Sequence, residues 1–232
     1  TDYVGGIVGS ASYLVSEITF CTHSGDVSGK LYVGGFAGYA NNTTMRNLTN
    51  NSTISGKAYV GGIAGLCGRL EACTNNGDLS ISGYHLTDDN TPVSYVGGIA
   101  GYATSATNCT NNAALDVSNG GHNVGGIAGY MAATRTDDTT YFSGNKNHGD
   151  ISGTNYVGGL FGNFAVVSVN NHATLTVKNN TNDGAVSGTN YVGGIAGHMM
   201  GESHDVRYEG TYISYVKLLE NANNQTSHTC VL

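Results

Sequence analysis

One seven-residue run, YVGGIAG at residues 59–65, constrains this chain more than any other feature, because close copies of it occur seven times. The copies share a Val-Gly-Gly core, further apolar residues and a closing glycine. They lie at residues 1–9, 32–38, 59–65, 95–101, 123–129, 156–162 and 191–197. Only the fifth copy replaces the leading tyrosine, with Asn123. A chain built in this way is a repeat protein, so its fold and function must be inferred from the array.

A second, looser motif precedes every copy after the first, as in CTHSGDVSG at 21–29 and CTNNGDLSISG at 73–83. Successive motif valines are 27 to 36 residues apart. The spacing indicates a basic unit of about 28 residues that is lengthened by insertions. Each unit therefore consists of two short apolar runs joined by polar turns.

The apolar runs predict strands, not helices. They are short, rich in Val, Ile and Tyr, and bounded by Gly or Asn clusters. A helix would also lose about 1 kcal/mol at each internal glycine. A unit of this size cannot bury its own apolar side, so successive units must stack through parallel strand pairing. The sequence therefore predicts an all-β fold, a parallel β-solenoid (β-helix) of about seven coils.

Stacking in register would align identical residues in ladders about 4.8 Å apart. We expect a tyrosine ladder, a valine ladder, a glycine pair and an asparagine ladder at the turns. The tyrosine and valine positions are Tyr32, Tyr59, Tyr95, Tyr156, Tyr191, Val33, Val60, Val96, Val124, Val157 and Val192.

The glycine pair raises a question of orientation. A regular strand would leave large apolar residues on both faces of the motif. One solution is a bulge at the glycines that turns Val60 and Ile63 to the same side. The alternative leaves a Tyr/Ile face that another element covers, or that stays open as an aromatic binding surface.

Composition narrows the classes of partner. The formal net charge is −7, which disfavours nucleic acid and other polyanions. No run of 18 apolar residues predicts a membrane-spanning helix, and Thr1 begins no signal peptide, so a mature or excised segment is expected. We divide the chain into a repeat array, residues 1–197, and a divergent last coil with a C-terminal cap or tail, residues 198–232.

The paired motifs CTNxGxVSG and YVGGIAG resemble the GLUG motif, a repeat of bacterial surface and secreted proteins. The resemblance covers about residues 1–197. It implies an extracellular or cell-surface β-helical stalk or adhesive region. Some proteins with this motif are zinc peptidases, but the HExxH signature of such enzymes occurs nowhere in this sequence, so peptidase activity is not implied here.

Cysteine and aspartate recur within the looser motif. Cys21, Cys73 and Cys109 share a position with Leu48, which predicts a buried apolar column. Cys67 and Cys73 are the better candidates for a disulfide, and Cys230 for intermolecular pairing. Asp26, Asp78 and Asp150 are expected to accept backbone N–H bonds in turns, with a Ca²⁺ site as the alternative. No cofactor is otherwise expected.

Two insertions contain nearly the same acidic pentapeptide. Its carboxylates are Asp88 and Asp89 in the first insertion, and Asp137 and Asp138 in the second. Loops that protrude from a rigid scaffold often carry specificity, so these are candidate contact loops as well as ordinary solvated turns. The histidines are scattered over turns and insertions, and no catalytic set is predicted.

These features favour a non-enzymatic adhesin or surface stalk at the bacterial cell surface. Its expected partners are host or matrix glycans or proteins, or copies of itself, without nucleic acid or membrane insertion. The first alternative is an extracellular fibre subunit that assembles head to tail. A polysaccharide-active β-helix enzyme is disfavoured, because such enzymes need clustered carboxylates or basic residues in a groove.

Overall fold

The computed structural model describes residues 3–11, 17–86, 92–135, 141–168 and 174–201, with shorter pieces at 203–205, 211–213, 215–219 and 222–223. Every regular element within these residues is a strand, and most pairs are parallel. The prediction of an all-β fold with parallel strands is confirmed. Within the described residues there is no helix long and apolar enough to cross a membrane.

The first sheet has seven strands in chain order and contains the tyrosine and valine positions of the repeated motif. Its parallel register pairs each motif valine with the next, from Val4 through Val33 and Val60 to Val192. The strands are Val4–Gly5, Leu31–Gly34, Ala58–Gly61, Val96–Gly97, His122–Gly125, Asn155–Gly158 and Asn190–Gly193.

The second sheet is the largest, with twelve strands, and follows the glycine pair of each motif. Some repeats contribute one long strand, and others contribute two shorter strands separated by a bend or an insertion. The strands are Val8–Ser10, Glu17–Thr19, Ala37–Arg46, Ala64–Glu71, Ala100–Ala103, Ser105–Thr107, Ala128–Arg135, Tyr141–Ser143, Phe161–Ser168, Thr174–Lys178, Ala196–Gly201 and Tyr215–Leu219.

The third sheet has seven very short strands from the looser motif. They are Thr22–His23, Thr49–Asn50, Thr74–Asn75, Thr110–Asn111, Lys146–Asn147, Thr181–Asn182 and Ala222–Asn223. Two three-stranded sheets follow it, formed by Val27–Ser28, Ile54–Gly56 and Leu79–Ile81, and by Leu115–Asp116, Ile151–Ser152 and Val186–Ser187. Two antiparallel hairpins pair His85–Leu86 with Pro92–Val93 and Ser203–Asp205 with Thr211–Ile213.

Each repeat visits these sheets in the same order. In the unit that begins at Ala58, Ala58–Gly61 joins the first sheet, Ala64–Glu71 the second, Thr74–Asn75 the third, and Leu79–Ile81 a small sheet. The next repeat then pairs in register beside it. The repeat pattern of the sequence is therefore also the pattern of strand pairing.

The motif bends at its glycine pair, which answers the question of orientation. Val60 and Ile63 are both fully buried, but they belong to different core clusters. The valines pack with Ile54 and Leu79, whereas the isoleucines pack with cysteine and phenylalanine side chains below the second sheet. Both residues are therefore turned inward, as the bulge hypothesis expected, but they enter separate clusters because the chain bends between them.

Close packing requires the glycines at this corner. A Cβ on Gly62 would lie 2.3 Å from Oδ1 of Asn75 and 2.5 Å from the carbonyl oxygen of Gly98 in the next repeat. A Cβ on Gly61 would lie 2.5 Å from Cα of Ala100. Real Cβ atoms do not approach other atoms this closely, so the pair allows the backbones of neighbouring repeats and an asparagine side chain to meet.

The asparagine side chains in contact with this corner form a buried ladder. Nδ2 of Asn75 donates to Oδ1 of Asn111 at 3.1 Å, and Nδ2 of Asn111 donates to Oδ1 of Asn147 at 2.8 Å. The same amide groups also bond the backbone two residues later. The members are Asn50, Asn75, Asn111, Asn147 and Asn182, each with no exposed area. His23 occupies the equivalent position of the first repeat.

The cysteine position is a buried column, as its exchange with leucine indicates. Cys73, Cys109 and Leu48 are fully buried, and Cys21 is half-buried. The thiols described by the structure are free, so the candidate disulfide between Cys67 and Cys73 is not formed. Burial raises the pKa of the Cys67 thiol well above its usual range, which makes this group a poor nucleophile. Cys230 lies outside the described residues.

Candidate functional site

A strip of aromatic side chains follows the corner where each repeat enters the first sheet. Its first column consists of the leading tyrosines of the motif. Tyr3 is 45% exposed and Tyr191 is 60% exposed, and the tyrosines between them are half-buried. The column contains Tyr3, Tyr32, Tyr59, Tyr95, Asn123, Tyr156 and Tyr191.

A second column lies beside the first and is supplied by the residue after the last glycine of each motif. It contains Ser10, Tyr39, Leu66, Tyr102, Tyr130, Asn163 and His198. The last glycine allows this contact, because a Cβ on Gly129 would lie 2.7 Å from the carbonyl carbon of Tyr95. From Tyr39 onward, each second-column residue therefore lies against the first-column residue of the preceding repeat.

Ring distances confirm that the two columns are in contact. Tyr95 and Tyr130 have ring centroids 5.2 Å apart, and Tyr3 and Tyr39 are 5.3 Å apart. Tyr156 and His198 are 5.4 Å apart. These distances lie within the range of favourable aromatic pairs. We refer to the two columns together as the tyrosine strip.

Stacking along the first column is closest between Tyr32 and Tyr59. Their ring centroids are 4.2 Å apart with an angle of 20° between planes, and their hydroxyls share a hydrogen bond. Tyr156 and Tyr191 also stack, at 4.8 Å and 13°. The strip is therefore a pre-arranged surface of packed rings and not a set of separate side chains.

The backbone beneath these rings is unusual. Tyr32, Tyr59, Tyr156 and Tyr191 have φ values of 47° to 54°, in the left-handed region. A bulky residue loses about 1–2 kcal/mol in this conformation, whereas asparagine tolerates it better. Asn123 occupies the same position with φ of 55°, so the backbone accepts asparagine there. The repeated tyrosines are therefore explained by their rings and not by the backbone.

The strip contains no permanently charged side chain. No position in either column holds Lys, Arg, Asp or Glu. Burial raises the pKa of the hydroxyls of Tyr32, Tyr59, Tyr95 and Tyr102, so these groups remain protonated and able to donate hydrogen bonds. A partly apolar ring face with neutral hydroxyl groups suits an uncharged, amphipathic ligand.

The valine positions named from the sequence lie beneath this surface. Val33, Val60, Val96, Val124 and Val157 are fully buried, and Val192 is 42% exposed. The five buried valines support the corner from inside and do not contribute to a contact surface, whereas Val192 adds apolar area at the surface of the last described repeat. The candidate contact loops with Asp88, Asp89, Asp137 and Asp138 lie outside the described residues.

Two of the recurring aspartates, Asp26 and Asp150, stabilise turns as predicted. Oδ1 of Asp26 accepts a bond from the backbone N–H of Thr53 at 3.0 Å, and Oδ1 of Asp150 accepts one from Ala185 at 2.8 Å. Each bond joins one repeat to the next. Among the residues that the structure describes, no three His, Cys, Asp or Glu side chains lie together in a way that could hold a metal ion.

A shallow depression near Asp116 is a further polar feature of the surface. Asp116, Asp150, Ser152 and Ser187 are among the residues that line it. Oδ1 of Asp116 accepts a hydrogen bond from the Ser152 hydroxyl at 2.8 Å. Hydrogen bonds from Ser118 and Ser152 lower the pKa of this carboxyl. Since the carboxylate is bonded within its own turn and the adjacent repeat, the depression has the character of a structural turn.

Sequence reasoning identified the first column but missed the second. The signal was present, because tyrosine follows the last motif glycine in three repeats, at Tyr39, Tyr102 and Tyr130. The contact between the columns depends on the offset of one repeat, which the sequence alone does not show. In comparisons with protein-family models, curated proteins and solved structures, none matches this chain.

Proposed function

We propose that this chain is a non-enzymatic repeat segment of an extracellular bacterial protein, an adhesin or surface stalk that contacts its ligand through the tyrosine strip. The proposal includes a parallel β-solenoid of about seven coils in which the sheets are successive faces of one array. It is supported by the identical order in which repeats visit the sheets. The GLUG-like motif pair supports the extracellular assignment.

The observation that carries the proposal is the use of tyrosine at left-handed positions that also accept asparagine. Tyr59 and Asn123 have nearly the same φ, 52° and 55°, but only tyrosine provides a ring at the surface. A stacked ladder alone would not require exposed ring area, since buried residues already hold the repeats together. Half-exposed rings that cost backbone strain indicate selection for contact with another molecule.

The test is binding of the chain to an array of glycans and extracellular matrix proteins. The matched variant is Tyr102→Ser with Tyr130→Asn, because both residues already occur in this column, at Ser10 and Asn163. We expect the parent chain to bind at least one member of the array and the double variant to bind it at least tenfold more weakly.

Tyr84→Ser is the control, because Tyr84 is 44% exposed and is not a member of either column. Its binding should equal that of the parent chain. An array without any bound member, or a double variant with undiminished binding, would contradict the contact role. Release of unsaturated products from uronate-containing glycans would instead support an enzyme.

A further inference from the structure

At one place in the tyrosine strip, both columns hold asparagine. Asn123 replaces tyrosine in the first column, and Asn163 occupies the second-column position of the following repeat. These two positions are in contact through Gly162, since a Cβ there would lie 2.4 Å from the carbonyl carbon of Asn123. Tyr95 and Tyr130 are the equivalent pair one repeat earlier. Asn123 and Asn163 therefore form a polar site between aromatic surfaces, which we call the polar step.

The amide groups of this step lack strong partners. Oδ1 of Asn163 is buried and has no hydrogen-bond partner, and the residue is only 7% exposed. Nδ2 of Asn123 makes one long bond, 3.5 Å to the carbonyl oxygen of Ser94. Nδ1 of His198, which pairs in register with Asn163, is likewise buried without a partner.

The buried asparagine ladder shows that the fold can satisfy such groups. Every member from Asn50 to Asn147 donates to its neighbour at 2.8 to 3.1 Å. An unpartnered buried acceptor is rare in native proteins and requires an explanation. At Asn163 the explanation that fits its position is a hydrogen bond completed by a ligand.

The surroundings define the chemistry of that ligand. Asn163 pairs in register with Tyr130 and His198, and Tyr156 lies next to His198. Rings on both sides present apolar faces, while the amide oxygen requires an O–H or N–H donor. No position in either column holds Lys or Arg, whose permanent charge would pair with a carboxylate or sulfate on a ligand. A neutral sugar ring combines an apolar face with hydroxyl donors at its edge.

We propose that Asn123 and Asn163 form the hydroxyl-recognising subsite of a glycan-binding strip, specific for neutral oligosaccharides. The inference rests on the proposed function and adds the ligand class to it. One sugar ring packs on the tyrosine faces, and rotation of the buried Asn163 side chain toward the surface lets its Oδ1 accept a hydrogen bond from one of the sugar hydroxyls. Asn123 contributes its amide to a neighbouring oxygen of the same ligand.

The test uses titration calorimetry with maltohexaose, cellohexaose and hexa-N-acetylchitohexaose, and with an oligogalacturonate of the same length. The key variant is Asn163→Leu, because Leu66 occupies this column in another repeat. We expect the parent chain to bind at least one neutral oligomer, and Asn163→Leu to bind it about tenfold more weakly, the effect of one hydrogen bond. Binding of oligogalacturonate should be weaker than that of the neutral oligomer.

Thermal unfolding distinguishes this role from a structural one. Replacing an unpartnered buried acceptor with leucine should leave the melting temperature unchanged or raise it. A lower melting temperature together with unchanged affinity would overturn the subsite. If Tyr102→Ser with Tyr130→Asn weakens binding but Asn163→Leu does not, the subsite is wrong and the contact role of the strip stands. Binding only to matrix proteins or to the acidic oligomer would also overturn the glycan proposal.

Discussion

The asparagine ladder and the tyrosine strip both place side chains once per repeat, but they differ in how their contacts are completed. Asn75, Asn111 and Asn147 are fully buried, and each amide bonds the next repeat and its own backbone. The strip is partly exposed, and its positions also accept Ser10, Leu66, Asn163 and His198. The amides of the asparagine ladder have all their hydrogen bonds within the molecule, whereas the tyrosine strip includes an amide oxygen without a hydrogen-bond partner.

This difference separates two uses of repetition. A column that bonds to itself holds neighbouring repeats together and tolerates little change. A column with half-exposed rings and an unpartnered amide contributes less to folding and is free to vary among repeats. Substitutions in the ladder should therefore reduce stability, and substitutions in the strip should chiefly reduce binding.

The largest effect is expected at the centre of the ladder. Asn111→Ala removes a buried amide that accepts from Asn75 and donates to Asn147 and to the carbonyl oxygen of Ala113. The loss should lower the free energy of unfolding by about 2–4 kcal/mol, since bonded groups on both sides lose a partner. Denaturant unfolding measures this change.

The matched control is the adjacent Asn112. Its Nδ2 donates to Oδ1 of Asn76 at 2.7 Å in an exposed outer row. Asn112→Ala should change the free energy of unfolding by less than about 0.5 kcal/mol. Equal losses for the two variants would refute the distinction between inner and outer asparagines.

A smaller effect is expected within the strip, where Tyr59→Asn and Tyr102→Asn form a comparison. Both variants lose a half-buried ring, but only Tyr59 has a left-handed backbone, with φ of 52°. Asparagine relieves that strain, so Tyr59→Asn should be less destabilising than Tyr102→Asn by about 1 kcal/mol. The difference in unfolding midpoints measures it, and a reversed order would show that the tyrosine backbone is not strained.

The smallest effect is expected in the pH dependence of stability. Burial raises the pKa of the Tyr59 hydroxyl, so the folded state keeps a proton that the unfolded state loses near pH 10. The free energy of unfolding therefore keeps its full value below pH 10 and falls as the pH rises from there through the pKa of the folded state. At about pH 10.5, Tyr59→Phe should remove less than about 0.8 kcal/mol of the alkaline loss of stability, because solvent screens this partly exposed hydroxyl.

The free energies of unfolding of the parent chain and of Tyr59→Phe, measured at about pH 8 and about pH 10.5, test this prediction. The variant should lose less stability than the parent chain at the higher pH. Titration by tyrosinate absorbance provides an independent measurement of the same pKa. If the two proteins lose the same stability on going to the higher pH, the hydroxyl of Tyr59 is not held protonated by burial.

The sequence predicted strand type and pairing direction well, because identical residues recur at each position and only parallel stacking places Val60 next to Val33 and Val96. It could not predict which core the motif residues enter. Val60 and Ile63 are three residues apart, and their separation into different clusters depends on a bend made possible by contacts of Gly61 and Gly62 with the next repeat.

The candidate site was predictable only in part. Tyr59 stood out in the sequence, but a positive φ is typical of glycine, as at Gly83 with φ of 128°. A tyrosine in that conformation has no sequence signature. The unpartnered oxygen of Asn163 was also beyond reach, because asparagine is common in these turns and only the packed structure distinguishes a satisfied amide from an open one.

The in-register pairing of unequal repeats has a further consequence. Val33 and Val60 are 27 residues apart, and Val60 and Val96 are 36 residues apart, yet both pairs are direct neighbours in one sheet. The additional residues of a longer repeat form structure outside the first sheet, as in the hairpin of His85–Leu86 and Pro92–Val93. The spacing between neighbouring repeats is therefore set by strand pairing and not by the number of residues in a repeat. Lengthening a loop changes the surface of the molecule but leaves the distance between paired strands unchanged.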